Sequence, residues 1–369
     1  MKLIEEKIGN LPVKELKSIL GDPEKSANSA HLIYVHDTEP GIQRIKKGEG
    51  FQYVLGKSKK INKQVDLIRI KSLVIPPAWE NVWICSLPNG HLQATGIDVK
   101  KRKQYKYHAL WNLLRNHTKY YRLLQFGKAI SSIRVQVEKD IALPGLCVEK
   151  VLALVVSLME KTNIRVGNLG YEKLYGSFGL STLKDKHVNI NGNELRFCFK
   201  GKKGIEHTIH IKNKKLATIV QTCRDIPGKE LFQYYAADGE KKSIDSGMVN
   251  TYIKKISGGN FTAKDFRTWA GTLSAFLAFK ELGSFDTPSE AKQKVIQALV
   301  MVSKQLGNTP TVCKKYYVHP LIVALYESKS LEKYTAQARK ISTTTTKAVL
   351  TLEEKTVMKI LEKNQLTRQ

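Results

Sequence analysis

The sequence predicts an α+β fold, a small β-rich domain followed by a larger, mainly helical domain that carries a small β-meander. Three observations predict it. Between about residues 31 and 117, Gly and Pro punctuation separates short runs of β-type residues. Beyond about 118, apolar residues recur at helical spacing over long stretches. Within that helical half, the segment from His187 to Ile211 reverts to strand alternation around an Asn-Gly pair. At 369 residues the chain is long enough for two or three domains. The expected boundaries are 1–30 as a helical lead-in, 31–117 and 118–369.

In the lead-in, Leu11 to Leu20 places apolar residues at helical spacing. Strands are expected at Phe51 to Val54, Val82 to Cys85, His91 to Thr95 and Arg102 to Tyr107, with Pro88-Asn89-Gly90 as a tight turn. Alternation along the last of these puts Lys103, Tyr105 and Tyr107 on one face and Arg102, Gln104 and Lys106 on the other. Neither face is apolar enough to be core. One reading is a solvated edge strand whose lysines discourage aggregation. The preferred reading is a strand that grips phosphates and touches base edges in a groove.

Cys147 to Thr162 is apolar on more than one face, as a buried helix is. Gly167 suits a left-handed position at its end, with Arg165 beside that turn. The His187–Ile190 strand meets Asn191-Gly192. Leu195, Phe197 and Phe199 then share a face, and the turn Lys200–Gly204 carries Lys202 between two glycines before Ile205 to Ile211. Thr262 with Asp265 three residues on makes a near capping box. Phe266, Trp269, Ala270, Leu273, Phe276 and Leu277 form the apolar stripe that follows. Arg267 is off that stripe, in the first turns, where the helix dipole favours an anion, and Lys264 lies one turn before it. Ser289 to Leu306 is a further helix that stops at Gly307. Thr309-Pro310 starts the next, with Tyr317 about two turns into it. Thr343 to Thr346 reads as a loop before a last charged helix over about 347–366.

Composition restricts the partners. A net charge of +28 self-repels unless it meets a polyanion, which means nucleic acid or an anionic membrane surface. The longest apolar run, Val151 to Met159, is far short of a span, and Met1 to Glu6 lacks a signal-peptide apolar core. Five scattered cysteines with no Cys-x-x-Cys pair argue against zinc or a disulfide framework and for a reducing compartment.

Two arginines at expected helix ends, a lysine on a hairpin tip, an amide at Asn308 and a tyrosine nine positions later resemble a known family. The chain is similar to the type IB DNA topoisomerases of the compact kind found in poxviruses and bacteria, and more to the bacterial branch. The similarity runs from about Gly48 to Pro320. It rests on Ile75-Pro76-Pro77-Ala78-Trp79, Gln93-Ala94-Thr95-Gly96, Arg102-Lys103-Gln104-Tyr105, Ile164-Arg165-Val166-Gly167-Asn168, Gly179-Leu180-Ser181-Thr182-Leu183 and Lys264-Asp265-Phe266-Arg267-Thr268. The resemblance implies that Tyr317, not Tyr316, is the nucleophile, because its interval from Asn308 fits the family. It implies that Arg165 and Arg267 hold the non-bridging oxygens of the scissile phosphate and that Lys202 is the general acid. Asn308 stands where poxviral and eukaryotic relatives carry His, a departure shared with bacterial members. It can donate to a phosphate oxygen but brings no charge.

The expectation is therefore an ATP-independent topoisomerase that nicks one strand through a 3′-phosphotyrosyl link, lets the free end rotate and religates, relaxing supercoils of both signs. Its partner is double-stranded DNA, gripped by a monomeric clamp of the β-rich and catalytic domains, with Lys103, Gln104, Tyr105, Tyr107, Tyr171 and Lys264 as candidate contacts. No cofactor is expected, and no paired acidic motif suggests magnesium. The location implied is the cytoplasmic nucleoid if the source is bacterial. A tyrosine recombinase shares the Arg, Lys, Arg and Tyr set, but Lys264 stands where recombinases usually carry His. A non-catalytic DNA-binding protein, with Tyr317 merely packed, is the reading from another class.

Overall fold

A computed structural model describes residues 11–56, 59–337 and 350–366. The chain forms two compact units, one ending at Arg122 and the other running from Leu123 to Leu366. The division falls inside a helix rather than at the expected 117/118 boundary. The first ten residues of the lead-in and the expected Thr343–Thr346 loop lie outside the described residues.

In the N-terminal unit, α1 (Val13–Ile19) is followed by α2 (Pro23–Ser29). Asp22 caps α2 by accepting from the Lys25 N–H at 3.0 Å. Leu16, Ile19, Ala27 and Ala30 bury against Leu110, Trp111 and Leu114 at the start of a later helix. Residues 11–30 are thus largely helical and packed against that later helix. The six-stranded antiparallel sheet has the order β3-β2-β1-β4-β5-β6. Its strands are β1 (Ile42–Lys47), β2 (Gly50–Leu55), β3 (Lys59–Lys60), β4 (Glu80–Ile84), β5 (Leu92–Ile97) and β6 (Lys103–Tyr107). One helix, α3 (Gln64–Ser72), buries Ile70 in a core with Ile42, Val82, Ile84 and Ala94. The sequence pattern conceals β1, because Ile42-Gln43-Arg44-Ile45-Lys46-Lys47 is mostly polar, and α3, whose inward face is a single isoleucine. The expected Pro88–Gly90 turn is present, closed by the Gly90 N–H donating to the Leu87 carbonyl.

Helix α4 (Ala109–Ile141) starts ahead of the expected residue 118 and runs into the second unit. There α5 (Val148–Thr162) buries every residue from Val151 to Met159, and each large apolar side chain so removed from water contributes about 1.5–3 kcal/mol. It ends at Asn163, left-handed at φ 56°, so Asn163 and not Gly167 occupies the cap position. Then come α6 (Leu169–Tyr175), the meander of β7 (Val188–Asn191), β8 (Glu194–Lys200) and β9 (Glu206–Lys212), and α7 (Lys214–Arg224). Gly192 turns the β7–β8 hairpin at φ 54°, and Leu195, Phe197 and Phe199 face the core as the alternation requires. A hairpin of β10 (Gln233–Tyr235) and β11 (Lys241–Ser243) leads to α8 (Ser246–Ser257) and α9 (Ala263–Leu282). The chain then runs through α10 (Pro288–Leu306), α11 (Pro310–Tyr316), α12 (Pro320–Glu327), α13 (Glu332–Gln337) and α14 (Leu352–Leu366). The capping box forms, with Asp265 accepting from the Thr262 N–H at 2.8 Å. Phe266, Trp269 and Phe276 are buried, whereas Leu277 at the edge of the expected stripe is 40% exposed. No helix among the described residues is long and apolar enough to cross a membrane.

Candidate active site

Arg165 lies just past α5, in an extended segment held by backbone bonds. Leu180 N–H donates to the Arg165 carbonyl at 2.9 Å and Ser181 N–H to Val166 at 2.6 Å. This approach requires glycine at 179, since a β-carbon there would sit 2.5 Å from both the Arg165 oxygen and the Gly167 nitrogen. The half-buried Arg165 guanidinium donates through Nη2 to Asn308 Oδ1 at 2.8 Å and to the Gly307 carbonyl at 3.2 Å. Gly307 ends α10 at φ 55°, and Thr309 caps α11 by accepting from the Val312 N–H, so Asn308 is fixed between two helix ends.

Arg267, in the second turn of α9, is 5% exposed. Its Nη2 donates to the Leu306 carbonyl at 2.7 Å and its Nη1 to the Asn163 carbonyl. The side chain is thus held by two other helices rather than by its own. It caps the C-terminal carbonyls of α5 and α10, whose dipoles supply partial negative charge. Among the described residues neither arginine is paired with a carboxylate. Burial, and then the charge of Arg267, lowers Arg165 to about 10, and burial lowers Arg267 likewise. Two buried nitrogens, Arg267 Nε and Asn308 Nδ2, have no protein acceptor. Unsatisfied buried donors are costly, each of the order of 1–3 kcal/mol, unless a ligand oxygen meets them.

Tyr317 is not two turns inside a helix. It follows the last residue of α11 as its C-cap, at φ −128°, because His319-Pro320 starts a new helix two residues later and the chain must extend before proline. The half-buried Tyr317 ring lies 5.3 Å from the guanidinium carbon of Arg267. Thr272 fixes its backbone, donating to the Tyr317 carbonyl at 3.1 Å. Burial alone would raise the phenol, but Arg267 and Arg165, with a smaller contribution from Lys264, outweigh it and hold it below the ordinary value. Tyr316 is 44% exposed, with Lys315 over its ring.

Arg165, Arg267, Asn308 and Tyr317 are thus gathered around one space, and Lys264 is exposed at the N-terminus of α9 beside it. Lys202 sits in a short 3₁₀ turn at the β8–β9 tip, with its ammonium 5.8 Å from the Tyr171 ring. Asn168 places Tyr171 by capping α6. In the N-terminal unit, Lys103, Tyr105 and Tyr107 share the exposed face of β6, and the two tyrosine rings stack at 6.0 Å. The Lys103 ammonium is already paired with Asp37 at 2.5 Å. Gln104 points to the other face and donates to Asp98 at 2.9 Å, so it belongs to a structural network there. The sequence reading passed over two residues. His207 occupies a core-facing position of the β9 alternation, which is itself a signal, and Gly271 interrupts a helix interior.

Comparison with known proteins fits this arrangement. Residues 100–348 match the model of the eukaryotic DNA topoisomerase I catalytic core, and residues 50–98 match that of the bacterial DNA topoisomerase IB N-terminal domain. The chain is 32% identical over 295 residues to the DNA topoisomerase 1B of Acanthamoeba polyphaga mimivirus, covering 78% of this chain and 88% of the relative. It is 24% identical over 256 residues to the DNA topoisomerase 1B of Vaccinia virus (strain Copenhagen), covering 68% and 77%. It is also 24% identical over 229 residues to the DNA topoisomerase 1 of Rabbit fibroma virus (strain Kasza), covering 60% and 68%. With one family model spanning more than half of its length and a relative of this identity, the chain belongs to the type IB DNA topoisomerases.

Proposed function

We propose that the protein relaxes positive and negative supercoils by cutting one strand of duplex DNA through Tyr317, allowing rotation, and religating without ATP. The observation that carries this reading is the placing of a phenol beside two guanidiniums that lack any carboxylate among the described residues. A phosphodiester supplies the missing anion. In an in-line displacement the Tyr317 oxygen bonds to phosphorus as the bond to the 5′-oxygen breaks, and negative charge builds on the non-bridging oxygens. Arg165 and Arg267 stabilise that charge with donors held in place beforehand. Arg267 Nε and Asn308 Nδ2, buried without acceptors, are suited to the same oxygens. The phenol proton passes to solvent as the bond forms, which its depressed pKa favours. Lys202 delivers a proton to the 5′-oxygen, a poor leaving group otherwise. The 3′-phosphotyrosyl ester retains the bond energy, so religation is the same step reversed.

DNA grip comes from the net charge of +28, with Lys264, Tyr171 and the β6 face of Lys103, Tyr105 and Tyr107 as contacts. Phosphate contacts dominate such binding, so affinity falls steeply with salt. In this reading the enzyme acts as a monomeric clamp on cytoplasmic DNA if its source is bacterial. Supercoiled plasmid incubated in EDTA without ATP should give a topoisomer ladder, and Tyr317→Phe should give neither ladder nor covalent adduct. Relaxation by Tyr317→Phe at the wild-type rate would remove Tyr317 from the mechanism.

A further inference from the structure

One side chain lies between the hairpin that carries Lys202 and the turn that carries Asn308. His207 is opposite Phe199 in the β8–β9 register and stacks on its ring, with centroids 5.0 Å apart and planes 19° from parallel. A β-carbon on Gly201 would come within 2.6 Å of both Cδ2 and Nε2 of the imidazole. One on Gly307 would collide with Cε1 and lie 3.2 Å from Nε2. The ring therefore fills a slot with no room for a methyl group at either glycine. Gly201 immediately precedes Lys202. Gly307 immediately precedes Asn308, and its carbonyl accepts from Arg165.

We propose that His207 is a positioning residue, a wedge that sets the distance from Lys202 to the Arg165–Asn308 pair so that the ammonium meets the leaving oxygen of a phosphate held by the arginines. This deepens the function proposed above and rests on Lys202 being the general acid. A flat, uncharged ring suits the slot. Burial, followed by the charges of Arg165 and Arg267, keeps the imidazole below its ordinary pKa and hence neutral at pH 7, while Glu206 opposes them. A longer flexible side chain would fill the same space without fixing the two glycines relative to each other, and alanine would leave them free to shift. Displacing a catalytic group by about 1 Å can cost about 100-fold in rate.

The test is single-turnover covalent cleavage of a suicide duplex whose scissile bond carries either a 5′-oxygen or a 5′-bridging sulfur. A thiol ionises at about pH 8.5 and so leaves without a proton donor. Lys202→Ala, His207→Ala and Gly201→Ala are compared, the last because Gly201 has an ordinary φ of −92° and only the His207 ring obstructs a methyl group there. On the oxygen substrate, His207→Ala should be slowed about 10- to 100-fold. On the sulfur substrate it should return to near the wild-type rate, as Lys202→Ala should. Gly201→Ala should show the same signature, and adding it to His207→Ala should cost little more, because the obstructing ring is gone. A purely structural role would slow both substrates equally, and melting temperatures identify any variant that is simply unfolded. The inference is overturned if Lys202→Ala is rescued by sulfur while His207→Ala is unaffected on oxygen or equally slow on both. If Lys202→Ala is not rescued, the general-acid assignment falls and this inference falls with it. Cleavage of the sulfur substrate by Tyr317 would still stand in that case.

Discussion

Gly271→Ala should separate the chemistry from the fold. Gly271 lies one turn after Arg267 in α9, where the backbone of Tyr317 passes over it. A β-carbon at 271 would be 2.8 Å from Tyr317 Cβ, 2.9 Å from its carbonyl oxygen and 3.1 Å from Leu306 Cδ1. Carbon contacts relax to about 3.5–4.0 Å, so one partner must move by about 1 Å. Helix α9 is the less able to do so, because Phe266, Trp269 and Phe276 are buried on it and Arg267 is bonded to two other helix ends. Tyr317 sits at the end of a two-turn helix, held by its N–H to Cys313 at 2.9 Å and by Thr272. The phenol is therefore the group that shifts. Exchanging Gly for Ala in a helix interior gains about 1 kcal/mol, and overpacking costs about 1–3 kcal/mol, so net stability should change by no more than about 2 kcal/mol. Misplacing the nucleophile by about 1 Å should slow covalent cleavage about 100-fold. The assay is the rate of adduct formation on a suicide duplex, read on a denaturing gel beside a thermal melt. Adduct formation at the wild-type rate by a normally folded Gly271→Ala protein would refute the claim that this close approach sets the nucleophile.

Asn308→Asp keeps an acceptor for Arg165 but replaces the buried Nδ2 donor with an anion, which would repel the phosphate of the function proposed. Losing one such donor costs about 100- to 1,000-fold in comparable sites, and cleavage by the variant should fall at least that far, measured as single-turnover adduct formation. Glu354 joins α14 to two other helices. Its carboxylate accepts from Arg134 at 2.6 and 3.0 Å, from the Trp269 indole at 3.3 Å and from the Thr351 N–H at 2.8 Å. Because Arg134 keeps Glu160 at 2.7 Å, Glu354→Ala should destabilise the C-terminal unit by about 3 kcal/mol, the low end for a broken buried pair, seen as a lower urea midpoint. Burial lowers His91, His108, His187 and His207 below the ordinary histidine pKa. The unfolded chain then binds protons that the folded one refuses, so stability is full above about pH 6.5 and declines as pH falls below it. Melting temperatures should drop between about pH 7.5 and about pH 5.5, before the carboxylates titrate. A flat profile there would contradict the buried neutral imidazoles.

The elements that place Tyr317 are written locally in the sequence. Thr262 with Asp265 starts α9, Gly307 stops α10 and Thr309-Pro310 starts α11, and each of these signals acts within one turn. What holds the arginines is not written in this way. Apart from Asn308 Oδ1, which accepts from Arg165, their acceptors are the carbonyls of Asn163, Leu306 and Gly307, and a backbone oxygen leaves no mark on residue identity. Hence Arg267 reads as serving the start of its own helix when its guanidinium caps the ends of two others. The end of α11 was obscured for a related reason. A basic, aromatic run through Tyr317 continues the helical pattern, while the interruption is set by Pro320 and by the bond from Thr272 to the Tyr317 carbonyl. This partition has a chemical consequence. A carboxylate partner would have announced itself in sequence and would have neutralised each arginine. Helix-end carbonyls hold the guanidiniums with partial charges only, leaving most of the positive charge to act on the Tyr317 phenol and, in the function proposed, on a phosphate.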